Sequence, residues 1–117
     1  MHDFKKLMVW QESMDLVVSA YQVLRQFPQE EIYGLSSQIR RCSVSIPSNI
    51  AENAGRDHNN DFKRFITYSI GSSNELETQF LLAKRLNYLE DKNYRILNEQ
   101  ILKVQRMCNK LIQSLKK

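Results

Sequence analysis

The sequence predicts an all-α fold, an antiparallel up-down bundle of four helices. Three observations carry this reading. Apolar residues recur at alternating spacings of three and four in four separate runs, the signature of amphipathic helices. The 117 residues contain only 3 Gly and 2 Pro, too few for a turn-rich β fold. No segment sustains the apolar/polar alternation of a strand. The length corresponds to one domain, residues 1–117, able to bury a core without disulfides or metal.

The first run is Leu7, Trp10, Met14, Val17, Tyr21 and Leu24, predicting a helix over 8–26 with Trp10 and Met14 in the core. The same helix carries a second apolar stripe, Val9, Leu16, Ala20, Val23 and Phe27, turned by roughly 100°. Two apolar faces on one helix point to a second contact, with another subunit. Pro28 ends this helix, because the residue before a proline is biased away from helical geometry.

The second run, Ile32, Leu35, Ile39, Cys42, Ile46 and Asn49, predicts a helix over 31–54, with Glu30 and Glu31 suited to its N-terminus and Gly55 to its end. Pro47 lies inside it and frees the carbonyl of Ser43. Hydroxyls of Ser43 or Ser45 are the expected partners, giving a kinked but continuous helix. The third run, Phe62, Ile66, Ser69, Ser73, Leu76, Phe80 and Ala83, predicts a helix over 60–88 with N-caps available at Asp57, Asn59 and Asn60. The fourth, Tyr94, Leu97, Ile101, Val104, Cys108, Leu111 and Leu115, predicts a helix over 92–115 capped by Asp91. Short connections make neighbouring helices antiparallel.

Small and polar residues cluster where the second and third helices should meet. Asn49 falls on one core stripe, Ser69 and Ser73 on the other, beside Gly71 and Ser72. Such residues let two helices approach closely, with hydroxyls meeting Asn49. We expect Ser45, Asn49, Glu52, Ser72 and Glu75 to form a structural polar network that fixes helix register. Glu52 and Glu75 are expected to be neutralised by Arg56 and Arg64. The cluster lacks catalytic chemistry. A serine nucleophile needs a base, and the two histidines are His2, near the terminus, and His58, in a loop. Glu-x-x-His pairs for a di-metal bundle and glycine-rich phosphate loops are both absent. The expectation is a protein with no enzymatic activity, cofactor or metal.

Cys42 and Cys108 make neither a disulfide framework nor a metal motif, and each falls on an apolar stripe. No segment has the roughly 20 apolar residues of a membrane span, and the first residues lack the apolar run of a signal peptide. A cytoplasmic protein is expected. The net charge of +4 is unevenly placed: Lys92, Arg95, Lys103, Arg106, Lys110, Lys116 and Lys117 are offset only by Glu99, whereas the preceding body is slightly acidic. Positive charge on one helix face suits a phosphate backbone. Candidate nucleic-acid contacts are Arg95, Lys103, Arg106, Lys110 and Lys117, with Arg40 and Arg41 as a second patch. The alternative is a protein–protein scaffold or accessory subunit.

Six motifs run through the chain: Phe4-x-x-Leu7-x-Val9-Trp10-Gln11, Tyr33-Gly34-Leu35-x-x-Gln38-Ile39-Arg40-Arg41, Ser45-Ile46-Pro47-Ser48-Asn49-Ile50-Ala51-Glu52, Gly55-Arg56, Asp61-Phe62-x-Arg64-Phe65 and Gly71-Ser72-x-x-Glu75-Leu76-Glu77-Thr78-Gln79. In these the chain resembles the bacterial four-helix-bundle family encoded within intervening sequences of 23S ribosomal RNA genes. The family commonly has Gly where this chain has Asn53. The resemblance implies an up-down bundle and a ring-shaped homopentamer. It also implies kinship with accessory subunits of retroelement reverse transcriptases, whose basic bundle surface engages nucleic acid and the polymerase.

Overall fold

The computed structural model describes residues 3–54 and 59–115. Four helices follow in order: α1 (Met8–Leu24), α2 (Leu35–Ala54), α3 (Asn59–Arg85) and α4 (Asp91–Ser114). Short 3-10 turns at Phe4–Lys6 and Gln29–Glu31 precede α1 and α2. Helix α2 packs most extensively on α3, α1 on α2 and α4, and α3 on α4, while the diagonal pairs do not touch. The result is a four-cornered bundle 45 Å long with a cross-section of 23 × 20 Å. Gly55, Arg56, Asp57, His58, His2 and Lys117 lie outside the described residues.

Three of the four apolar runs face inward as expected, apart from Ile32, which is exposed in the turn before α2. Leu35, Ile39, Cys42, Ile46 and Ile50 of α2 are buried, as are Phe62, Ile66, Leu76, Phe80 and Ala83 of α3, and Leu97, Ile101, Val104 and Cys108 of α4. Helix α1 is turned the other way. Its buried face is Val9, Ser13, Leu16, Ala20 and Val23, continued by Phe27. Met14 and Tyr21 are exposed, and Trp10, Val17 and Leu24 only partly buried. The reason is size. Ser13 and Ala20 are small enough to let α1 approach its neighbours closely, and the Ser13 hydroxyl hides its polarity by donating to the Trp10 carbonyl at 2.7 Å.

The helix ends also differ from expectation, through local chemistry. Beyond Leu24 the chain tightens into i→i−3 bonds as far as Phe27, so Pro28 follows a frayed turn. Helix α2 begins at Leu35 because Glu31 acts as its cap: Oε1 accepts from Leu35 N at 3.1 Å, while Oε2 accepts from the Tyr88 hydroxyl at 3.0 Å. A Cβ on Gly34 would lie 2.6 Å from that Glu31 oxygen, so glycine leaves room for the cap. Helix α3 stops at Arg85 in a Schellman motif. Asn87 takes a positive φ of 63°, its N–H donates to Lys84 O, and Tyr88 N–H donates to Ala83 O. Asn59 and Asn60 are the first residues of α3, and Asp91 the first of α4, with Glu90 in the cap position.

The α2–α3 seam is built from short side chains. Ser69 Oγ donates to Ile46 O at 2.9 Å, Cys42 Sγ to Ser72 O at 3.0 Å, and the Ser45 and Ser72 hydroxyls share a 2.7 Å bond. Helix α2 runs unbroken through Pro47. Neither serine hydroxyl serves the freed Ser43 carbonyl: Ser43 Oγ donates to Arg40 O and Ser45 Oγ to Cys42 O. Asn49 does not cross the seam either, and its amide donates to Ser45 O at 2.8 Å within its own helix. Ser73 faces α4, where it accepts from Gln105 Nε2 at 2.9 Å. Gly71 is exposed, and a Cβ there would meet nothing within 4 Å, so it is no part of the close approach.

These placements set an order of mutational costs. Leu16→Ala removes a fully buried side chain and should destabilise by about 2–5 kcal/mol. Met14→Ala should change the dilute chain by no more than about 0.5 kcal/mol. Ser69→Ala should cost about 1–2 kcal/mol by removing an inter-helix bond, and Asn49→Ala about 1 kcal/mol or less, since Ser45 O remains inside a helix. Urea titrations of the four variants check the ranking.

Candidate nucleic-acid interface

Positions 92, 95, 99, 103, 106 and 110 follow one another at spacings of three or four, so they share one side of α4. All six residues are exposed, while Leu97, Ile101, Val104 and Cys108 occupy the opposite, buried side. The core residues thus aim the basic ones outward. The charges are not equally available. Arg95 Nε lies 2.8 Å from Asp91, which also holds the Lys84 ammonium at 2.8 Å. The Lys84 bond, aided by Arg95, holds the Asp91 carboxyl below its usual pKa. Lys103 Nζ lies 2.9 Å from Glu12 and ties α4 to α1. Among the described residues, Arg106, Lys110 and Lys92 make no ion pair, leaving them as the free cations of this face. Lys92 belongs to the basic run in the sequence, and its place here follows from the same spacing.

The second basic patch divides. Arg40 is half-buried and its Nη2 donates to Ile32 O at 2.9 Å, which holds the α1–α2 turn against α2. Arg41 is exposed and borders a groove of about 660 Å³ between α2 and α3, with Cys42, Ser45, Glu75, Gln79 and Leu82. Of the expected polar network, Ser45 and Ser72 meet across the seam, Asn49 bonds within α2, and Glu52 and Glu75 lie exposed at its edges. Arg64 pairs with Asp61 at 3.5 Å, not with Glu75. The bonds from Cys42 and Ser69 to backbone carbonyls belong to the same seam; the sequence placed both residues on core stripes, but expected the Ser69 hydroxyl to meet Asn49 and gave Cys42 no partner.

The groove offers no activated nucleophile. Burial, and secondarily the nearby Glu75 charge, pushes the Cys42 thiol up to about 12. Burial alone does the same to Cys108. Among the described residues no three His, Cys, Asp or Glu side chains gather as a metal site requires, and no helix is long and apolar enough to cross a membrane.

Fold and surface together define a class: a four-helix up-down bundle with a serine-lined inner seam and an outward cationic helix. Residues 5–110 match the family described as 23S rRNA-intervening sequence protein, and the chain belongs to that family. Among solved structures it is similar to a protein with unknown function from the S23 ribosomal protein family of Bacteroides thetaiotaomicron. The TM-score is 0.84 at 22% identity, over 91% of this chain and 96% of the other. That likeness concerns the fold. No curated protein matches the chain.

The thiols give a direct check. At pH 8, folded cysteines with pKa values of about 12 hold roughly a thousandfold less thiolate than at the ordinary value of 9.0. Native protein should therefore react with a disulfide reagent far more slowly than protein in denaturant. The folded pKa lies above the unfolded one, so the stability contribution is fully present below about pH 9. It is lost as pH rises toward about 12, which alkaline melting curves should register.

Proposed function

We propose that this protein is a non-enzymatic, oligomeric bundle of the cytoplasm that associates with nucleic acid, structured RNA in particular, through the outward face of α4. The observation that carries this reading is the set of exposed cations on that face, above all Arg106 and Lys110, which lack acidic partners among the described residues. Phosphate binding needs positive charge on one face and no particular catalytic residue, so recognition is of backbone more than of sequence. Family membership supports an association with ribosomal RNA genes, and the family resemblance favours a homopentamer as the assembly. In a cyclic assembly each copy repeats the cationic face, and weak sites add through avidity.

A second reading is favoured by a different observation. Helix α1 exposes Met14, Val18 and Tyr21, an apolar surface suited to a protein partner. On this reading the bundle is a scaffold or accessory subunit, for example of a reverse transcriptase.

Replacing Lys103, Arg106 and Lys110 together by Gln should weaken binding to structured RNA and flatten its salt dependence. The loss of slope should be about 1–2 per subunit in log K against log salt. Most of it should already appear in Arg106→Gln/Lys110→Gln, because Lys103 is engaged by Glu12. Gel shifts across a salt series measure both quantities, and circular dichroism should show the fold unchanged. Equal affinity of wild type and triple variant at low salt would rule out this face. Absence of binding by either would transfer the assignment to the scaffold reading.

A further inference from the structure

The groove between α2 and α3 has an order along its length. The two helices run antiparallel, and the bonds from Ser45, Cys42 and Ser69 fix their register. Beyond the Ser45–Ser72 pair, Arg41 and Cys42 of α2 come opposite Glu75 of α3, which lies beside the Cys42 thiol. Roughly two turns further on, Leu35 comes opposite Leu82. One end of the groove is therefore charged and the other apolar. Its volume of about 660 Å³ is ample for a small metabolite.

The polar groups of the groove are unequally committed. The Ser45 hydroxyl bonds Cys42 O and Ser72, the Thr78 hydroxyl donates to Asn74 O, and Cys42 donates to Ser72 O. Two charges and an amide are left. Arg41 and Glu75 are exposed and line the same groove, yet neither forms an ion pair with the other or with any described residue. Gln79 is only 8% exposed, and its Oε1 is buried without a hydrogen-bond partner. A buried acceptor without a donor is uncommon and costly, so it marks a place for a donor from outside the chain.

On α3, Glu75 and Gln79 are four residues apart and share one face, with Leu82 three residues further. That helix presents two acceptors and then an apolar side chain. Across the groove, α2 presents a guanidinium and then Leu35. Arg41 suits a carboxylate, which it can bind through two parallel bonds, whereas Glu75 and Gln79 Oε1 suit an ammonium with its three donors. A phosphate chain fits poorly because Glu75 faces it, and a metal ion fits poorly because Arg41 does. We propose that this groove binds a free α-amino acid with a large apolar side chain: its carboxylate on Arg41, its ammonium on Glu75 and Gln79, and its side chain between Leu35 and Leu82. Rotation of the Gln79 amide about its soft terminal torsion brings the orphan oxygen to the ammonium. The raised Cys42 thiol is no nucleophile, so the role is binding and not turnover. Helix α2 does not touch α4, and a bound amino acid leaves the cations of α4 accessible.

Thermal melts and calorimetric titrations of the full chain with single amino acids test this. L-leucine, L-methionine and L-phenylalanine at millimolar concentration should each raise the Tm in a saturable way, and glycine should not. N-acetyl-L-leucine lacks the ammonium and L-leucinamide lacks the carboxylate, so each should bind about tenfold more weakly or worse. Arg41→Gln and Glu75→Gln should each weaken binding by about 10–100-fold, the measure of a lost charge-assisted bond. Both positions are exposed, so circular dichroism should show the fold unchanged. Gln79→Leu gives opposite signs in two readouts. The Tm of the protein without amino acid should rise, because the orphan acceptor is gone, while affinity for the amino acid should fall. No saturable shift with any of the three apolar amino acids would overturn the proposal. Unchanged binding by Arg41→Gln and Glu75→Gln would do the same by putting the ligand elsewhere. Equal binding of the two blocked leucine derivatives would remove the zwitterion as the species recognised.

Discussion

The rest of the bundle depends on how closely α2 and α3 approach. The Ser69 hydroxyl reaches the backbone carbonyl of Ile46 on the neighbouring helix, and a side chain with a single carbon can do so only when the two backbones lie near each other. Cys42 makes the reverse contact to the carbonyl of Ser72. Large residues along this line would hold the helices apart and leave the buried hydroxyls without partners. The bonds also fix register. Sliding α3 by one turn along α2 would carry Ser69 away from Ile46 O and Ser72 away from both Cys42 and Ser45. Apolar packing is tolerant of small shifts, whereas a buried hydroxyl is not. Cys42, Ser45 and Ile46 are therefore the α2 side of the seam.

One end of the bundle is tied by a second device. Glu31 caps α2 with one carboxylate oxygen and binds Tyr88 with the other, joining the α1–α2 turn to the α3–α4 turn. The Tyr88 ring also packs on Phe27, with centroids 5.7 Å apart. Tyr88 sits where it does because the Schellman turn at Asn87 reverses the chain after α3. Asp91 then bridges Lys84 and Arg95 across that turn. Through this corner the register of the inner seam passes to α4, and so to the direction in which its cations point.

Much of this was legible in the sequence. Four helices, their order and the inward faces of α2, α3 and α4 follow from spacing alone, because those helices each carry one dominant stripe. Helix α1 carries two, and the larger side chains of the first stripe concealed that Ser13 and Ala20 make the second the better packing face. Met, Tyr and Trp count as apolar in any pattern, yet they tolerate partial exposure, and pattern cannot say which stripe a neighbour needs. Helix ends were misjudged where three-dimensional partners decide them: Glu31 as a distant cap, Asn87 in a left-handed turn. The basic face was readable from spacing, but its composition was not. Which lysines and arginines are engaged depends on Glu12, eighty or more positions away in sequence, and on Asp91 at the corner.

The distribution of unused surface completes the argument. Within the bundle α4 touches α1 and α3 on its two flanks, and its third side points to solvent. Exposed apolar residues lie elsewhere, Met14, Val18 and Tyr21 on α1 and Tyr68 and Leu82 on α3. A single chain offers only a few uncompensated cations there, too few to hold a polyanion at physiological salt. Repetition changes that balance, because the second and later contacts along one nucleic acid are intramolecular once the first has formed. On the oligomeric reading proposed above, repetition offsets the weakness of the face in one subunit: self-association would supply the charge density that a single bundle lacks.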